Sequence, residues 1–148
     1  MTETPFTLHG SKCLVTGYGR IGKILSKMLC GIGARVSVEA RKFADLAHIE
    51  GNSCKAVPLC ELVHHVGEFD VIFNTVPHLI FDADMLRRLK KDALLIDLAS
   101  RPGGVDFEAA KQMGIRVIWA LSLPGKVAPV SAGAIIKDTI VNVMQEMG

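Results

Sequence analysis

The chain has 148 residues, 49% hydrophobic and 22% charged, and its seventeen Lys and Arg against fifteen Asp and Glu leave a formal charge of +2. A chain of this length suits one domain and removes roughly 70% of its unfolded surface from water on folding. The balanced charge, with no basic run interleaved with aromatics, argues against a nucleic-acid partner, and every apolar run is cut by Gly, Pro or charge before the ~20 residues that span a bilayer, so no membrane segment is expected.

Apolar strand-like runs alternate with helical spacing from end to end, which predicts a parallel sheet wrapped by helices. Strands are expected near residues 12–16, 35–39, 53–57, 71–74, 93–97 and 116–119. Helices are expected near 20–32, 43–50, 61–66, 82–90 and 106–113, with a last one from about 130 to 147. The first helix should turn Ile21, Ile24, Leu25, Met28 and Leu29 inward, with Gly31 and Gly33 ending it. Six strands joined by right-handed crossovers suit the order 3-2-1-4-5-6: a single α/β domain, a doubly wound parallel sheet of the Rossmann type, over residues 9–148. Ligands of such sheets sit at the carboxyl ends of the strands, between strands one and four. The loops 17–22, 40–42, 74–78, 98–104 and 120–129 therefore carry the expected chemistry.

The first of these loops is the most informative. An apolar run ends in Gly17-Tyr18-Gly19-Arg20-Ile21-Gly22 and a helical pattern follows, the layout of a dinucleotide-binding turn. Gly17 makes the tight turn, Gly19 admits the pyrophosphate, and Gly22 lets the helix pack closely. The pyrophosphate then sits on unpaired N–H groups at the helix N-terminus.

An NAD site also needs a carboxylate at the end of the second strand for the ribose hydroxyls. Counted along dehydrogenases with Gly-x-Gly-Arg-Ile-Gly, that position is Ala40, one residue after Glu39, which pleating turns to the opposite face. Ala40 followed by Arg41 and Lys42 offers room and positive charge, so NADP(H) is the expected cofactor.

Farther along, Asn74, Thr75, Val76 and Pro77 close the fourth strand where the nicotinamide side should lie, Pro77 stiffening the turn. Asp97 reads as a strand-end hydrogen-bond acceptor. Ser100, Arg101 and Pro102-Gly103-Gly104 form a loop able to bring backbone close to a ligand, and Pro124 and Lys126 belong to the last crevice loop. Arg101 suits a carboxylate, which a guanidinium grips in a bidentate manner. His78 is the one histidine in an expected crevice loop and a candidate proton acceptor. His48, His64 and His65 lack metal-ligand spacing, and no metal site is expected. Cys13, Cys30, Cys54 and Cys60, without a C-x-x-C pair, read as free thiols of a reducing compartment. Met1-Thr-Glu-Thr-Pro-Phe6 has no secretory pattern, so a cytoplasmic location is expected.

With Asn74-Thr-Val-Pro77, Asp97-Leu-Ala-Ser-Arg-Pro-Gly-Gly104 and Leu123-Pro-Gly-Lys-Val-Ala-Pro129 in order, the chain resembles the A-subunit family of bacterial dipicolinate synthase from Thr7 to Met147. The resemblance implies an NADP-dependent oxidation of dihydrodipicolinate, a small dicarboxylate, in the mother cell of a sporulating bacterium, beside a flavoprotein-like B-subunit partner. It also implies an N-terminal domain absent here, residues 1–8 being a linker remnant, and oligomerisation of the whole protein. Two other readings compete: a regulatory nucleotide sensor of the kind attached to potassium channels, and the cofactor domain of an enzyme resembling 2-hydroxyacid dehydrogenases or S-adenosylhomocysteine hydrolase. The sensors usually keep the ribose acid that Ala40 replaces, and the 2-hydroxyacid enzymes use a His-acid pair and an Arg in loops this chain fills differently.

Overall fold

The computed structural model describes residues 10–52, 54–99 and 103–119. Six parallel strands form one sheet: β1 (Lys12–Thr16), β2 (Arg35–Ala40), β3 (Lys55–Pro58), β4 (Val71–Asn74), β5 (Leu94–Asp97) and β6 (Arg116–Trp119). Their order across the sheet is β3-β2-β1-β4-β5-β6, the doubly wound arrangement expected from the sequence. Between them run α1 (Arg20–Gly31), α2 (Phe43–Gly51), α3 (Leu62–His65), α4 (Ala83–Arg87) and α5 (Phe107–Met113). The expected helix near 130–147 lies outside the described residues.

Strand side chains alternate between faces, and each face finds its own helices. Cys13, Val15, Val36, Val38, Val71, Phe73, Leu94 and Ile96 pack with Leu25 and Leu29 of α1 and Ile49 of α2. Leu14, Val57, Ile72 and Leu95 pack the other way with Leu62 of α3, Leu86 of α4 and Ala110 of α5. Both faces are covered, so the inner strands read as continuous apolar runs.

Several expectations are corrected. Ile21 is exposed: the buried stripe of α1 runs through Gly22, Leu25, Ser26 and Leu29, and at roughly 100° per residue Ile21 stands about a quarter turn from its centre. The third strand, expected at 53–57, pairs as Lys55–Pro58 against Ser37–Ala40. Pro58 is tolerated there because β3 is an edge strand and its missing N–H breaks no ladder. The helix expected at 82–90 ends at Arg87, since the amides of Arg88 and Leu89 take tighter bonds to the carbonyls of Met85 and Leu86. The helix expected at 61–66 keeps one α turn between two 3-10 turns, Leu59–Glu61 and Val66–Glu68.

A candidate cofactor site at the carboxyl edge of the sheet

β1 has β2 on one side and β4 on the other, so the chain turns opposite ways after β1 and β4 and a crevice opens above their carboxyl ends. The glycine loop caps β1 there. Gly17 has φ of +99°, open to glycine at little cost. A Cβ on it would run into Thr75 Oγ1 and come within 2.8 Å of Val76 Cγ2. A Cβ on Gly22 would fall on the Gly17 carbonyl, so the first turn of α1 rests directly on the loop backbone.

Gly19 differs, because a Cβ there would meet nothing within 4 Å. It is the N-cap of α1, and α1 has no side-chain cap and no acid in its first turn. The shorter helices α4 and α5 are capped by Asp82 and Asp106 through the amides of Met85 and Ala109. The leading amides of α1 thus face open space beside the switch point, the arrangement that holds a phosphate.

Beneath the loop lies a feature that single strands do not reveal. Thr16 is in register with Glu39 on one side and Asn74 on the other, and Asn74 with Asp97, so four polar residues form a row across β2, β1, β4 and β5. All four are buried. Thr16 Oγ1 donates to Asn74 Oδ1 at 2.6 Å, and Asn74 Nδ2 donates to Asp97 Oδ1 at 3.0 Å and to the Val76 carbonyl at 2.9 Å. Asn74 Oδ1 also accepts from the Val76 amide at 3.2 Å. Asp97 accepts from the amides of Ala99 and Gly104 at 3.1 and 3.0 Å. Thr75 Oγ1 donates to the Thr16 carbonyl at 2.8 Å, tying the loop after β4 to β1. Buried polar groups are tolerated when they satisfy one another, and here they also fix where three crevice loops start.

The pair Gly103-Gly104 serves this network. Gly103 has φ of +82°, and a Cβ on it would approach Asp97 Oδ2 to 2.7 Å; one on Gly104 would collide with Asn74 Nδ2. The close approach expected toward a ligand is made to Asp97 and Asn74.

Thr16 and Glu39 join the site without being marked as site residues by the sequence; the one signal available is that each gives an apolar strand a polar ending. Glu39 faces away from Ala40, and its Oε1 accepts from the Gly17 amide at 3.1 Å. Burial pushes its carboxyl above the ordinary value, while the Gly17 amide and the charge of Arg41 pull it back. Ala40 packs with the α1–α2 core, and Arg41 and Lys42 are exposed, Lys42 being the N-cap of α2.

Tyr18 contributes its backbone to the loop, but its ring lies toward α2. Its hydroxyl is 2.6 Å from His48 Nδ1, and the Lys23 ammonium sits 5.4 Å from the ring centroid. Arg20 and Ile21 are exposed at the start of α1, and Pro77 and His78 are exposed beyond Val76. Ser100, Arg101, Pro124 and Lys126 lie outside the described residues. Among the described residues no three His, Cys, Asp or Glu side chains group to hold a metal, and no helix is long and apolar enough to cross a membrane.

A doubly wound sheet, a glycine turn under an uncapped helix and a crevice at the switch point define a nicotinamide-dinucleotide-binding domain of the oxidoreductase type. The chain belongs to the family of D-isomer specific 2-hydroxyacid dehydrogenase NAD-binding domains, whose pattern matches residues 2–113. Within that class it is similar to the A subunit of dipicolinate synthase from Bacillus subtilis (strain 168), being 38% identical over 145 residues, 98% of this chain and 49% of the relative. The crystal structure of that Bacillus subtilis protein superposes with a TM-score of 0.80 at 38% identity, covering 97% of this chain and 48% of that one. The corresponding dipicolinate synthase structure from Bacillus halodurans superposes equally well, with a TM-score of 0.80 at 36% identity over 95% of this chain and 48% of that one. The chain spans about half the length of these relatives.

Proposed function

We propose that the chain is the NADP(H)-binding part of the A subunit of a dipicolinate synthase, serving the oxidation of dihydrodipicolinate to pyridine-2,6-dicarboxylate. The observation that carries the cofactor choice is at the ribose end of the crevice. The position for a ribose-binding acid holds the methyl of Ala40, and Glu39, the nearest carboxylate, is buried against the Gly17 amide. Arg41 and Lys42 stand exposed beside it, positive and free to meet a 2′-phosphate. The residues present fit a dinucleotide: the space at Gly19 and the uncapped start of α1 take the pyrophosphate through the backbone of Gly17, Tyr18, Gly19, Arg20, Ile21 and Gly22.

The bound cofactor supplies the hydride acceptor. The chain's own part is placement. Asn74, Thr75, Val76 and Pro77, held by the buried row with Asp97, form the nicotinamide wall, and Ser100 and Pro124 complete it. Arg101 grips one substrate carboxylate, and His78 accepts the ring proton lost as the product becomes aromatic. The A-subunit relatives support a B-subunit partner, assembly into an oligomer, and work in the cytoplasm of the mother cell. Titrating NADPH and NADH into the purified chain by nicotinamide fluorescence tests the cofactor reading. NADPH should bind about a hundredfold more tightly, roughly 2.8 kcal/mol; equal affinities overturn it. For the reaction, the chain within its full-length protein, mixed with the partner, should form NADPH from fresh dihydrodipicolinate, and none formed overturns the substrate assignment.

A further inference from the structure

On the outer side of the sheet, away from the crevice, α1 and α2 enclose a cavity of about 370 Å³. Two cysteines far apart in sequence meet in it. Cys30, near the end of α1, places its Sγ 3.3 Å from the Sγ of Cys54, just before β3. Both thiols are reduced. Disulfide formation needs a sulfur separation of about 2.05 Å, little more than an ångström closer.

The two are not equivalent. Cys54 is buried, and burial together with the Cys30 sulfur pushes its thiol up to about 12. Cys30 is partly exposed and lines the cavity, so an incoming sulfur reaches it first. Lys23 and Lys27 line the same cavity with their exposed side chains, and His48 and Tyr18 close it with their 2.6 Å contact. Two ammonium groups beside a reachable thiol attract an anionic reagent.

We propose that Cys30 and Cys54 form a thiol–disulfide exchange site that takes low-molecular-weight anionic disulfides. Cys30 sulfur attacks one sulfur of the reagent, the reagent's S–S bond breaks, and the departing thiolate takes up the proton released by Cys30. Cys54 sulfur then attacks Cys30 in the mixed disulfide, displaces the second thiolate and transfers its proton to it. The two protein thiols lose two electrons and two protons, and one reagent disulfide becomes two thiols. The product links the C-terminal end of α1 to the α2–β3 connection. Neither sulfur belongs to the crevice, so the site stands or falls independently of the cofactor reading.

Glutathione disulfide is the probe, applied to the native full chain carrying Cys60→Ser to remove the exposed thiol. Alkylation and peptide mass mapping should find the protein lighter by two hydrogens, free of adduct, with Cys30 joined to Cys54 and Cys13 reduced. Adding Cys54→Ser, with unchanged circular dichroism, should stop the reaction at one glutathione on Cys30. Uncharged hydroxyethyl disulfide should react about tenfold more slowly at low ionic strength, and Lys23→Ser with Lys27→Ser should remove that difference. A lasting adduct on Cys30 while Cys54 is present, or no reaction until denaturant is added, overturns the site. Equal rates for the charged and neutral reagents overturn the anionic class.

Discussion

Glu39 Oε1 accepts the amide proton of Gly17 at 3.1 Å, so the acid that nearly ends β2 is a strut under the glycine loop. It sits on the face opposite Ala40, whose methyl occupies the ribose side.

That burial has a pH signature. The Glu39 carboxyl is raised above its ordinary value of 4.5, chiefly by desolvation, so the folded state favours its protonated form. The resulting stability is fully present below pH 4.5 and is lost as pH rises through the folded value. Glu39→Gln keeps an acceptor for Gly17 and removes the charge. Urea unfolding at pH 8 should therefore find the variant more stable than the parent, with the gap closing as pH falls toward 5. A gap that widens on acidification would contradict the raised carboxyl.

Arg41→Ala should weaken NADPH binding and leave NADH binding little changed. A charge-assisted hydrogen bond to the 2′-phosphate contributes roughly 1.5–3 kcal/mol, about ten- to a hundredfold in affinity. Fluorescence titration of both cofactors reads it directly. Because Arg41 is exposed, thermal unfolding should hardly move.

Two glycine substitutions should separate binding from folding. Gly19→Val projects into open space, so the variant should fold with a near-parental melting temperature and lose dinucleotide binding. Gly104→Ala places a methyl on Asn74 Nδ2, with the Val76 carbonyl 2.8 Å away, and overpacking of this kind costs about 1–3 kcal/mol. Calorimetry on the two variants should show a lowered melting temperature for Gly104→Ala alone.

Asp97→Ala removes the acceptor for three donors at once: Asn74 Nδ2 and the amides of Ala99 and Gly104. Each buried orphan costs roughly 1–3 kcal/mol, not additively, so a loss of at least about 3 kcal/mol is expected in urea unfolding. Asp97→Asn keeps one acceptor oxygen and should lose less. Equal stability of Asp97→Ala and the parent would remove the buried row from the structural argument.

The alternation of apolar runs makes the six-strand order and the position of the glycine turn legible in the sequence, because both depend on local pattern and chain connectivity. The opposite facing of Glu39 and Ala40 follows from pleating alone. What Glu39 touches does not, for its contact with Gly17 spans 22 residues and exists only once β1 and β2 pair in register. The Thr16–Asn74 bond spans 58 residues and is hidden for the same reason. Ile21 misleads on a local signal: its apolar character fits the helix, but the stripe that meets the sheet is centred on small residues, Gly22 and Ser26, which carry little weight in a hydrophobic pattern.

The buried row separates two kinds of inheritance in this crevice. Thr16, Asn74 and Asp97 bond through side chains of particular length across neighbouring strands, so changing one obliges the others to change with it. Arg41 and Lys42 stand outside that row on the surface. A descendant of this chain can therefore exchange one dinucleotide for the other through single substitutions at the second loop, with the wall against which the nicotinamide rests left untouched.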